Sequence, residues 1–339
     1  MQSQTRATPE YLRAFTRYLK VGKGNLTPEE TRVLQEAVSA DGGVLAPQLY
    51  LDRIAEIRRQ GLVGFVSRVQ TGKSISVPYF TTPIVVKELG ESPTLDSGSN
   101  YGLQTSGDGS PFNLPNFGTS GSPDRRAFTP QKKGVYTKVT EELLDDSEPD
   151  LASFLSMQIA IAIYAAEANQ IINGSGSSGQ LKGIIGNCAA ESRTVTAASA
   201  TAIATGTGAA ANDLAELLDL VDAAYVDRGV WLMHPRVFVR YVAGSAAASH
   251  SVERDGRVWP TVYGLPVLLC SWMPRVVTSG ATSVVFGDLS QYLVAESKPG
   301  YQFAALDQVH IASGQIGVYA RTRLDGNVVQ PRAFAALVH

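Results

Sequence analysis

The hydrophobic positions along the chain predict helices and strands in alternation, and one helix differs from the others. Residues 150–172 carry apolar side chains around nearly the whole helical circumference, with small alanines between the larger ones. Asp150 is placed to cap this run, and Asn173-Gly174 marks its end. A helix that is apolar nearly all round is covered on several sides. We therefore expect its own fold to bury one side and neighbouring molecules the other.

Three shorter helices are predicted before it. Thr8-Pro9 and Thr27-Pro28 each place a capping hydroxyl before a proline at the first helical position. Glu30 completes a capping box with Thr27, and a third helix is expected over 48–60. The first two helices are too short to be stable alone, so we expect them to form an arm packed on another part of the structure. Their expected inward residues are Leu12, Phe15, Leu19, Val33, Leu34, Ala37 and Val38.

The remaining pattern is rich in strands and places the chain in the α+β class. An amphipathic helix is predicted from Asn212 to Gly229 on the spacing of Leu214, Leu217, Leu218, Val221 and Tyr225. Residues 187–211 are expected to be surface strand and loop. A strand over 230–233, followed by a helix at Pro235, indicates a compact α/β unit. Further strands are predicted at 63–69, 74–79, 82–88, 133–139, 258–269, 283–286, 292–295, 315–324 and 333–338.

A long loop over 97–123 combines small and polar residues with large apolar ones. Gly, Ser, Pro and Asn dominate it, yet it carries Tyr101, Leu103, Phe112, Leu114 and Phe117. One interpretation is a disordered surface loop. We favour a projecting loop whose aromatic residues dock on another subunit, because each large apolar side chain costs free energy while it faces water and loops of this length are usually functional or disordered.

Composition narrows the class of function. The chain has 339 residues, 44% of them hydrophobic, and its 29 basic and 31 acidic residues give a net charge of -2. It therefore offers no global attraction to nucleic acid or anionic membrane, and we expect no transmembrane or targeting segment. Cys188 and Cys270 stand alone, without metal-binding or disulfide spacing, and are predicted to be buried thiols in a reducing cytosol.

Nothing in the sequence forms a convincing catalytic or cofactor motif. Gly174, Gly176 and Gly179 spell GxGxxG, but they follow a helix instead of a strand, so they are better explained as a helix end and a tight turn. Gly72-Lys73-Ser74 lacks the first glycine of a phosphate-binding loop, since Ser67 stands there. We predict no enzyme, cofactor or metal. The histidines, which lack zinc-site spacing, are His234, His250, His310 and His339.

A basic and an acidic cluster lie at the two ends of the strand predicted over 133–139. The acidic cluster is most simply a solvated turn before the helix, although paired carboxylates could serve a metal or acid–base chemistry. The basic cluster is too short to read a nucleic-acid sequence, and we expect it to meet the acidic cluster of a neighbouring subunit. The basic residues are Arg125, Arg126, Lys132 and Lys133, and the acidic ones are Glu141, Glu142, Asp145, Asp146, Glu148 and Asp150.

These parts, in this order, resemble the major capsid proteins of tailed bacteriophages with the HK97 fold, from Asp41 to His339. The segments that carry the resemblance are Asp41-Gly42-Gly43-Val44-Leu45-Ala46-Pro47, Val86-Lys87-Glu88, Phe128-Thr129-Pro130-Gln131-Lys132-Lys133, Thr140-Glu141-Glu142-Leu143-Leu144-Asp145-Asp146-Ser147, Ile172-Asn173-Gly174-Ser175-Gly176, Met233-His234-Pro235-Arg236, Tyr263-Gly264-Leu265-Pro266-Val267 and Phe286-Gly287-Asp288-Leu289-Ser290. Each motif alone is weak, but their shared order and spacing are hard to obtain by chance.

The resemblance implies a peripheral P-domain with a long spine helix and long strands, an axial A-domain with a central sheet and flanking helices, an extended E-loop and an N-terminal arm. The implied boundaries are 1–43 for the arm, 44–70 for the start of the P-domain with its first helix, 71–130 for the E-loop, 131–184 for the P-domain with the spine helix 150–172, 185–299 for the A-domain, 300–328 for the long P-domain strands and P-loop, and 329–339 for a final strand that returns to the A-domain.

It also implies function and partners. Such subunits form hexamers and pentamers that close an icosahedral shell around double-stranded DNA, with a portal protein at one vertex, a scaffold protein during assembly and, in some members, a decoration protein. The implied location is the virion, after assembly in the host cytoplasm. The assembly contacts that we expect are Phe112, Leu114, Phe117, Arg125, Arg126, Lys132, Lys133, Glu141 and Glu142.

Departures from the family pattern refine this expectation. Val85 or Val86 replaces the usual E-loop tryptophan. No lysine occurs between Lys87 and Lys132, and no acidic residue directly precedes Arg321, so the residues that cross-link some family members are missing and we predict a shell without covalent cross-links. The short segment before the fold leaves no room for a fused scaffold, which we expect was either removed or is a separate protein.

The alternative functions are an encapsulin-like compartment around a cargo enzyme and a nucleotide-binding α/β enzyme.

Overall fold

The computed structural model describes residues 8–21, 26–35, 44–45, 52, 55–57, 61–72, 74–79, 125–140, 151–206, 212–245, 247–254, 257–298, 300–306 and 314–339. The helices are α1 (Pro9–Val21), α2 (Pro28–Gln35), α3 (Leu151–Asn173), α4 (Ile184–Ala190), α5 (Asp213–Leu220), α6 (Ala223–Val226) and α7 (Pro235–Val237). The strands are β1 (Val44–Leu45), β2 (Ser67–Thr71), β3 (Ile75–Pro78), β4 (Arg125–Phe128), β5 (Gln131–Thr140), β6 (Thr194–Thr196), β7 (Val230–Met233), β8 (Ala248–Arg254), β9 (Arg257–Val262), β10 (Leu265–Leu269), β11 (Thr282–Gly287), β12 (Tyr292–Ser297), β13 (Gln302–Leu306), β14 (Gln315–Val328) and β15 (Phe334–Val338).

Strand β14 organises the first of two large sheets. One edge of β14 pairs antiparallel with β5 from Gln315 opposite Thr140 to Leu324 opposite Gln131. Its other edge pairs first with β13 and then with β12, and β1 and β2 complete the sheet in the order β1-β13-β14-β12-β2. The long helix α3 packs on this sheet, where Ile159, Ile163, Val318 and Ala320 share one buried cluster. The face of β5 that carries Val135 and Val139 is turned inward, and the alternate residues are exposed.

The second large sheet has seven strands in the order β6-β15-β11-β7-β10-β9-β8. Its central strands β7 and β11 are buried at every position, which suits strands covered on both faces. The final strand β15 lies in this sheet, between β6 and β11. Trp231 is fully buried there and donates its indole N–H to the Val262 carbonyl at 3.1 Å. The division into arm, E-loop, P-domain and A-domain stays a prediction.

The arm helices begin and pack as their sequences predict. The Thr8 hydroxyl accepts from the Tyr11 N–H at 3.3 Å, and the capping box is closed by Thr27 N–H to Glu30 Oε2 at 2.9 Å and Glu30 N–H to Thr27 Oγ1 at 3.4 Å. These bonds hold the pKa of Glu30 below its usual range. Helix α1 buries Tyr11, Ala14, Phe15 and Tyr18 in one cluster with Leu34 and residues of α3. Phe15 and Leu34 were expected to be inward, whereas nothing is described of the side chains of Leu12 and Leu19.

Tertiary contacts change several predicted elements. The strand expected over 63–69 begins only at Ser67, because Leu62–Gly64 forms a 3₁₀ turn that buries Leu62 and Val63. The helix expected over 212–229 is interrupted at Val221, whose backbone is extended, because Asp222 caps a new helix through a 3.2 Å bond from the Ala224 N–H. The stretch expected to be strand and loop over 187–211 begins within helix α4.

Other corrections concern strands. The single strand expected over 258–269 is a hairpin of β9 and β10, which turns at Tyr263-Gly264 where both residues have positive φ. Strands β4, β8 and β13 were not among the strands predicted from the hydrophobic pattern. No helix in the described part of the chain is long and apolar enough to cross a membrane. The predicted helix over 48–60 is described only at residues 52 and 55–57, which are helical, and the predicted strand 82–88 lies outside the described residues.

Candidate functional site

The base of the long loop is held on the body of the protein by a two-stranded ribbon. Strand β3 enters the loop and β4 leaves it, and the two pair antiparallel from Ile75 opposite Phe128 to Pro78 opposite Arg125. Phe128 is fully buried against Leu293 and Ala295, with Ile75 and Val77 beside it. The ribbon is therefore fixed by apolar packing at the point where the chain returns to β5.

Hydrogen bonds to Asp325 also fix the base of the loop. The Thr129 N–H donates to Asp325 Oδ2 at 2.6 Å, and the Gly326 N–H donates to Asp325 Oδ1 at 2.8 Å. Burial nevertheless raises the pKa of Asp325, with these two donors and Lys133 acting in the opposite direction. A carboxylate that bridges two separate segments of the chain ties the end of the loop to β14.

The predicted basic cluster is divided by the fold. Arg126 forms an ion pair with Glu191, and its guanidinium lies 4.7 Å from the centre of the Tyr79 ring. Lys133 donates to Gln170 Oε1 at 2.7 Å and to the Gly179 carbonyl, and burial lowers its pKa. Both side chains are thus occupied within the chain, whereas Lys132 is exposed. Arg125 lies in β4, and Phe112, Leu114, Phe117, Glu141 and Glu142 lie outside the described residues.

Close to the base of the long loop, a buried charge cluster attaches helix α3 to the first sheet. Arg68 on β2 pairs with Glu167 on α3 at 2.8 Å and with Glu296 on β12 at 3.6 Å. The Tyr301 hydroxyl donates to the other Glu167 oxygen at 3.0 Å. Both glutamates are buried. One guanidinium therefore connects three separate elements, and sequence reasoning missed this cluster because nothing local marks a pair separated by about a hundred residues.

The Gly174–Gly179 segment serves as a turn, as predicted. Gly174 follows the last residue of α3, and Gly176 and Gly179 have φ of +72° and +77°. The Gly183 N–H donates to the Gly174 carbonyl at 2.8 Å, so the loop closes on itself and leads into α4. Among the described residues, no three histidine, cysteine or carboxylate side chains are grouped so that they could hold a metal ion.

The cysteines and histidines take structural positions where they are described. Cys188 and Cys270 are free and buried, and burial raises the pKa of Cys188 to about 12. His339 is buried, with Nε2 2.6 Å from the Ser283 hydroxyl. His234 caps α7 by accepting from the Arg236 N–H at 3.0 Å, and partial burial together with Arg275 and Arg236 lowers its pKa.

Apolar side chains on the outer side of α3 indicate a surface for another molecule. Met157 and Ile161, one helical turn apart, are 52% and 41% exposed. The opposite side of the same helix buries Ile159 and Ile163. The helix is therefore apolar on its exposed side as well as on its buried side, as its sequence predicts.

The sequence comparison decides the family. The model of the phage capsid family matches residues 117–339, well over half of the chain. The chain belongs to the phage capsid family. No curated protein matches this capsid protein in sequence.

Solved structures show the same fold. The capsid of the empty GTA particle computed with C5 symmetry is similar with a TM-score of 0.56 and 19% identity, over 82% of this chain and 89% of that chain. The capsid of the native GTA particle has a TM-score of 0.54 and 20% identity, over 94% and 96%. A chain of Mycobacterium phage Adephagia has a TM-score of 0.52 and 15% identity, over 82% and 89%.

These findings confirm the predicted α+β class, the HK97-like fold and the assignment as a major capsid protein. The protein is a structural component of a virion capsid that associates with itself to form the shell.

Proposed function

We propose that this capsid protein forms hexamers and pentamers that close an icosahedral shell around packaged double-stranded DNA, without covalent bonds between subunits. The observation that carries the proposal is the anchored base of the E-loop. Phe128 and Asp325 fix the base rigidly, while the loop itself carries large apolar residues that are costly to expose. A fixed base followed by large apolar residues within 97–123 suits a loop that binds a neighbouring subunit.

The exposed apolar side of α3 supports the same proposal. Met157 and Ile161 offer a second surface for contacts between copies. A portal protein at one vertex, a separate scaffold protein during assembly in the host cytoplasm and a decoration protein are further proposed partners. The near-neutral charge suits weak, non-specific contact with the packaged DNA.

Electron microscopy and nuclease protection test this proposal. The purified chain should form closed shells, and particles from the natural source should contain nuclease-protected double-stranded DNA. Particles that hold a folded enzyme and no DNA would instead support an encapsulin-like compartment. A chain that elutes only as a monomer or small oligomer, alone and in its natural source, would contradict the assembly proposal.

A second experiment tests the role of the loop. Replacing both Phe112 and Phe117 by alanine should lower the melting temperature of assembled shells, because two buried aromatic contacts between subunits are lost. The matched control replaces the neighbouring Asn113 and Asn116 by alanine, which should leave the melting temperature nearly unchanged. Equal stability of both double variants would refute docking through these aromatic residues.

A further inference from the structure

A basic groove of about 390 Å³ lies where the start of β5 meets β14 and the end of β12. Lys132, Lys298, Arg321 and Arg323 line it, together with glycines and uncharged polar residues. No carboxylate is among the described residues that line the groove. Arg321 and Arg323 alternate along β14 with the buried Ala320, Thr322 and Leu324, so these cations stand on the side of the sheet that is turned away from α3.

The four cations have no charge partner in the part of the chain that the structure describes. Arg321 donates from Nε to Gln302 Oε1 at 2.8 Å, a neutral acceptor. Lys132 and Arg323 stand directly opposite each other in the β5–β14 register. Like charges in direct cross-strand positions destabilise a sheet. The isolated subunit therefore carries a repulsion that an anionic partner would relieve.

We propose that this groove binds residues 141–150 of a second copy of the chain, a contact that rests on the proposed assembly into a shell. That segment has six carboxylates and no basic residue: Glu141, Glu142, Asp145, Asp146, Glu148 and Asp150. Its charge complements the groove, and complementary charge fixes the register and the choice of partner at an interface.

The course of β5 and α3 favours another copy as the partner. Lys133 near the start of β5 contacts Gln170 near the end of α3. Val135, further along β5, packs against the buried cluster that contains Ile163 and Ile159 from earlier in α3. The two elements are therefore antiparallel, so Thr140 and Leu151, which bound the acidic segment, belong to the opposite end of the pair from Lys132.

Distances along these elements give the same result. Eight strand residues separate Thr140 from Lys132, roughly 26 Å at the rise of a β-strand. A ten-residue backbone that starts at Thr140 and returns to Leu151 reaches about 20 Å at most when it is fully extended. Even when fully extended, the backbone of the acidic segment of the same chain therefore does not reach Lys132, and at most one side chain at its tip could approach the groove, whereas a second copy can bring its whole segment there.

A contact between different surfaces of two copies is heterologous, and such contacts generate rings when the rotation closes. The groove at one end of the β5–α3 pair and the acidic segment at the other end form such a head-to-tail arrangement. A rim contact of this kind is weakened by salt, since charges further apart than about 8–10 Å are screened at physiological ionic strength.

Charge reversal with rescue tests the contact. The double variant Arg321→Glu, Arg323→Glu should reduce the yield of shells at least about tenfold, because like charges then face each other across the interface. The double variant Glu141→Lys, Glu142→Lys should do the same. Combining the four substitutions should return the yield to within about twofold of the unmodified chain. The matched control Arg236→Glu, Arg240→Glu, which reverses two exposed arginines elsewhere, should assemble normally.

Cross-linking provides a measurement that does not depend on the variants. Shells assembled from a mixture of ¹⁴N- and ¹⁵N-labelled chains are treated with a carbodiimide, which joins an amine to a nearby carboxylate with loss of water. We expect Lys132 or Lys298 to be joined to peptides of 141–150 with mixed isotopes. Links to the acidic residues of the E-loop, or links within one copy, would overturn the proposal.

The two proposals fail in different ways. If the unmodified chain forms no shells, the proposed function fails. If unmodified shells form and both reversal variants form them equally well, only the groove contact is refuted. A combined variant that folds, as judged by an unchanged circular dichroism spectrum, but does not regain assembly also refutes it.

Discussion

Gly174 shows how one residue determines the path of the chain after the spine helix. A Cβ atom at this position would lie 2.1 Å from the Leu181 carbonyl oxygen and 2.5 Å from the Gln170 carbonyl oxygen. The Gly174 N–H donates to that Gln170 carbonyl at 2.9 Å. Both contacts are with backbone, which cannot move aside as a flexible side chain can. The close approach of two chain segments therefore requires glycine here.

Alanine substitutions at two nearby glycines should have opposite effects. Gly174→Ala should lower the free energy of unfolding of the unassembled subunit by about 1–3 kcal/mol, because the added methyl group overpacks the turn. Gly186 lies inside α4, where an added Cβ would meet its nearest atom at 3.9 Å, so Gly186→Ala should raise the stability by about 0.5–1 kcal/mol. Urea unfolding of both variants measures the difference, and equal stabilities would contradict this account of the turn.

The buried thiols give a prediction about pH. Burial raises the pKa of Cys188 to about 12, against about 8.5 in an unfolded chain. The folded state therefore retains this proton over a range in which the unfolded state loses it. The contribution of Cys188 to stability is complete below about pH 8.5 and is lost as the pH rises toward 12. Burial also raises the pKa of Cys270.

Thiol titration at pH 8 checks both cysteines. The native subunit should react with almost no disulfide reagent, because the thiolate is the reactive form and both thiols are buried. In strong denaturant, the same sample should react with two equivalents of the reagent per chain, one for each cysteine. Rapid reaction of either thiol in the native subunit would show that its surroundings open readily.

At the scale of elements, the charge cluster of Arg68 decides how α3 is held. The spine helix has an apolar surface on several sides, and such a surface alone leaves its rotation and translation on the sheet poorly specified. Hydrogen-bonded charges require one geometry, since each partner must be met at a short distance. Arg68 of β2 hydrogen-bonds Glu167 of α3 and forms a longer ion pair with Glu296 of β12, and so helps to set the position of the helix over the sheet.

Removing the arginine should therefore be costly. Arg68→Ala removes a positive charge that pairs with two buried carboxylates, Glu167 and Glu296, and we expect the free energy of unfolding to fall by about 3 kcal/mol. A second substitution, Glu167→Gln, should recover part of this loss in the Arg68→Ala background because it removes one of the two buried negative charges. The exposed Arg240→Ala is the control and should change the stability by less than about 0.5 kcal/mol. Chemical denaturation of the four proteins tests this, and a neutral Arg68→Ala would contradict it.

For the whole molecule, two large sheets and the long helix α3 carry both the described base of the long loop and the packed helix α1. The loop base is bonded to β14 through Asp325, and the arm helix α1 is packed on α3 through Phe15 and Tyr18. We propose that contacts between copies are non-covalent, because the sequence lacks a lysine between Lys87 and Lys132 that could form an amide bond.

Denaturing gels of mature particles test this aspect of the shell. We expect a single band at the subunit mass of 36.1 kDa, because the E-loop carries no nucleophilic amine beyond Lys87. Covalent ladders at multiples of that mass would refute a shell held only by non-covalent contacts. Ladders that appear only after oxidation, and vanish on reduction, would be due to the cysteines.

Features that depend on neighbours along the chain could be predicted from the sequence. The caps at Thr8 and Thr27, the end of α3 at Gly174 and the strands of β5, β11 and β14 were predictable, because the bonds and periodicities that specify them span only a few residues. The order of the short motifs was also sufficient for the family, which the family model then confirmed.

Features that depend on residues far apart in the chain are specified by the folded structure. The fold interrupts the predicted helix at Val221. It also pairs Arg126 with Glu191 and Lys133 with Gln170. It also places Arg323 opposite Lys132. The physical reason is the same in each case: long-range pairing selects among local options of similar free energy. The pairing of β5 with β14 thus turns separate basic residues into one groove.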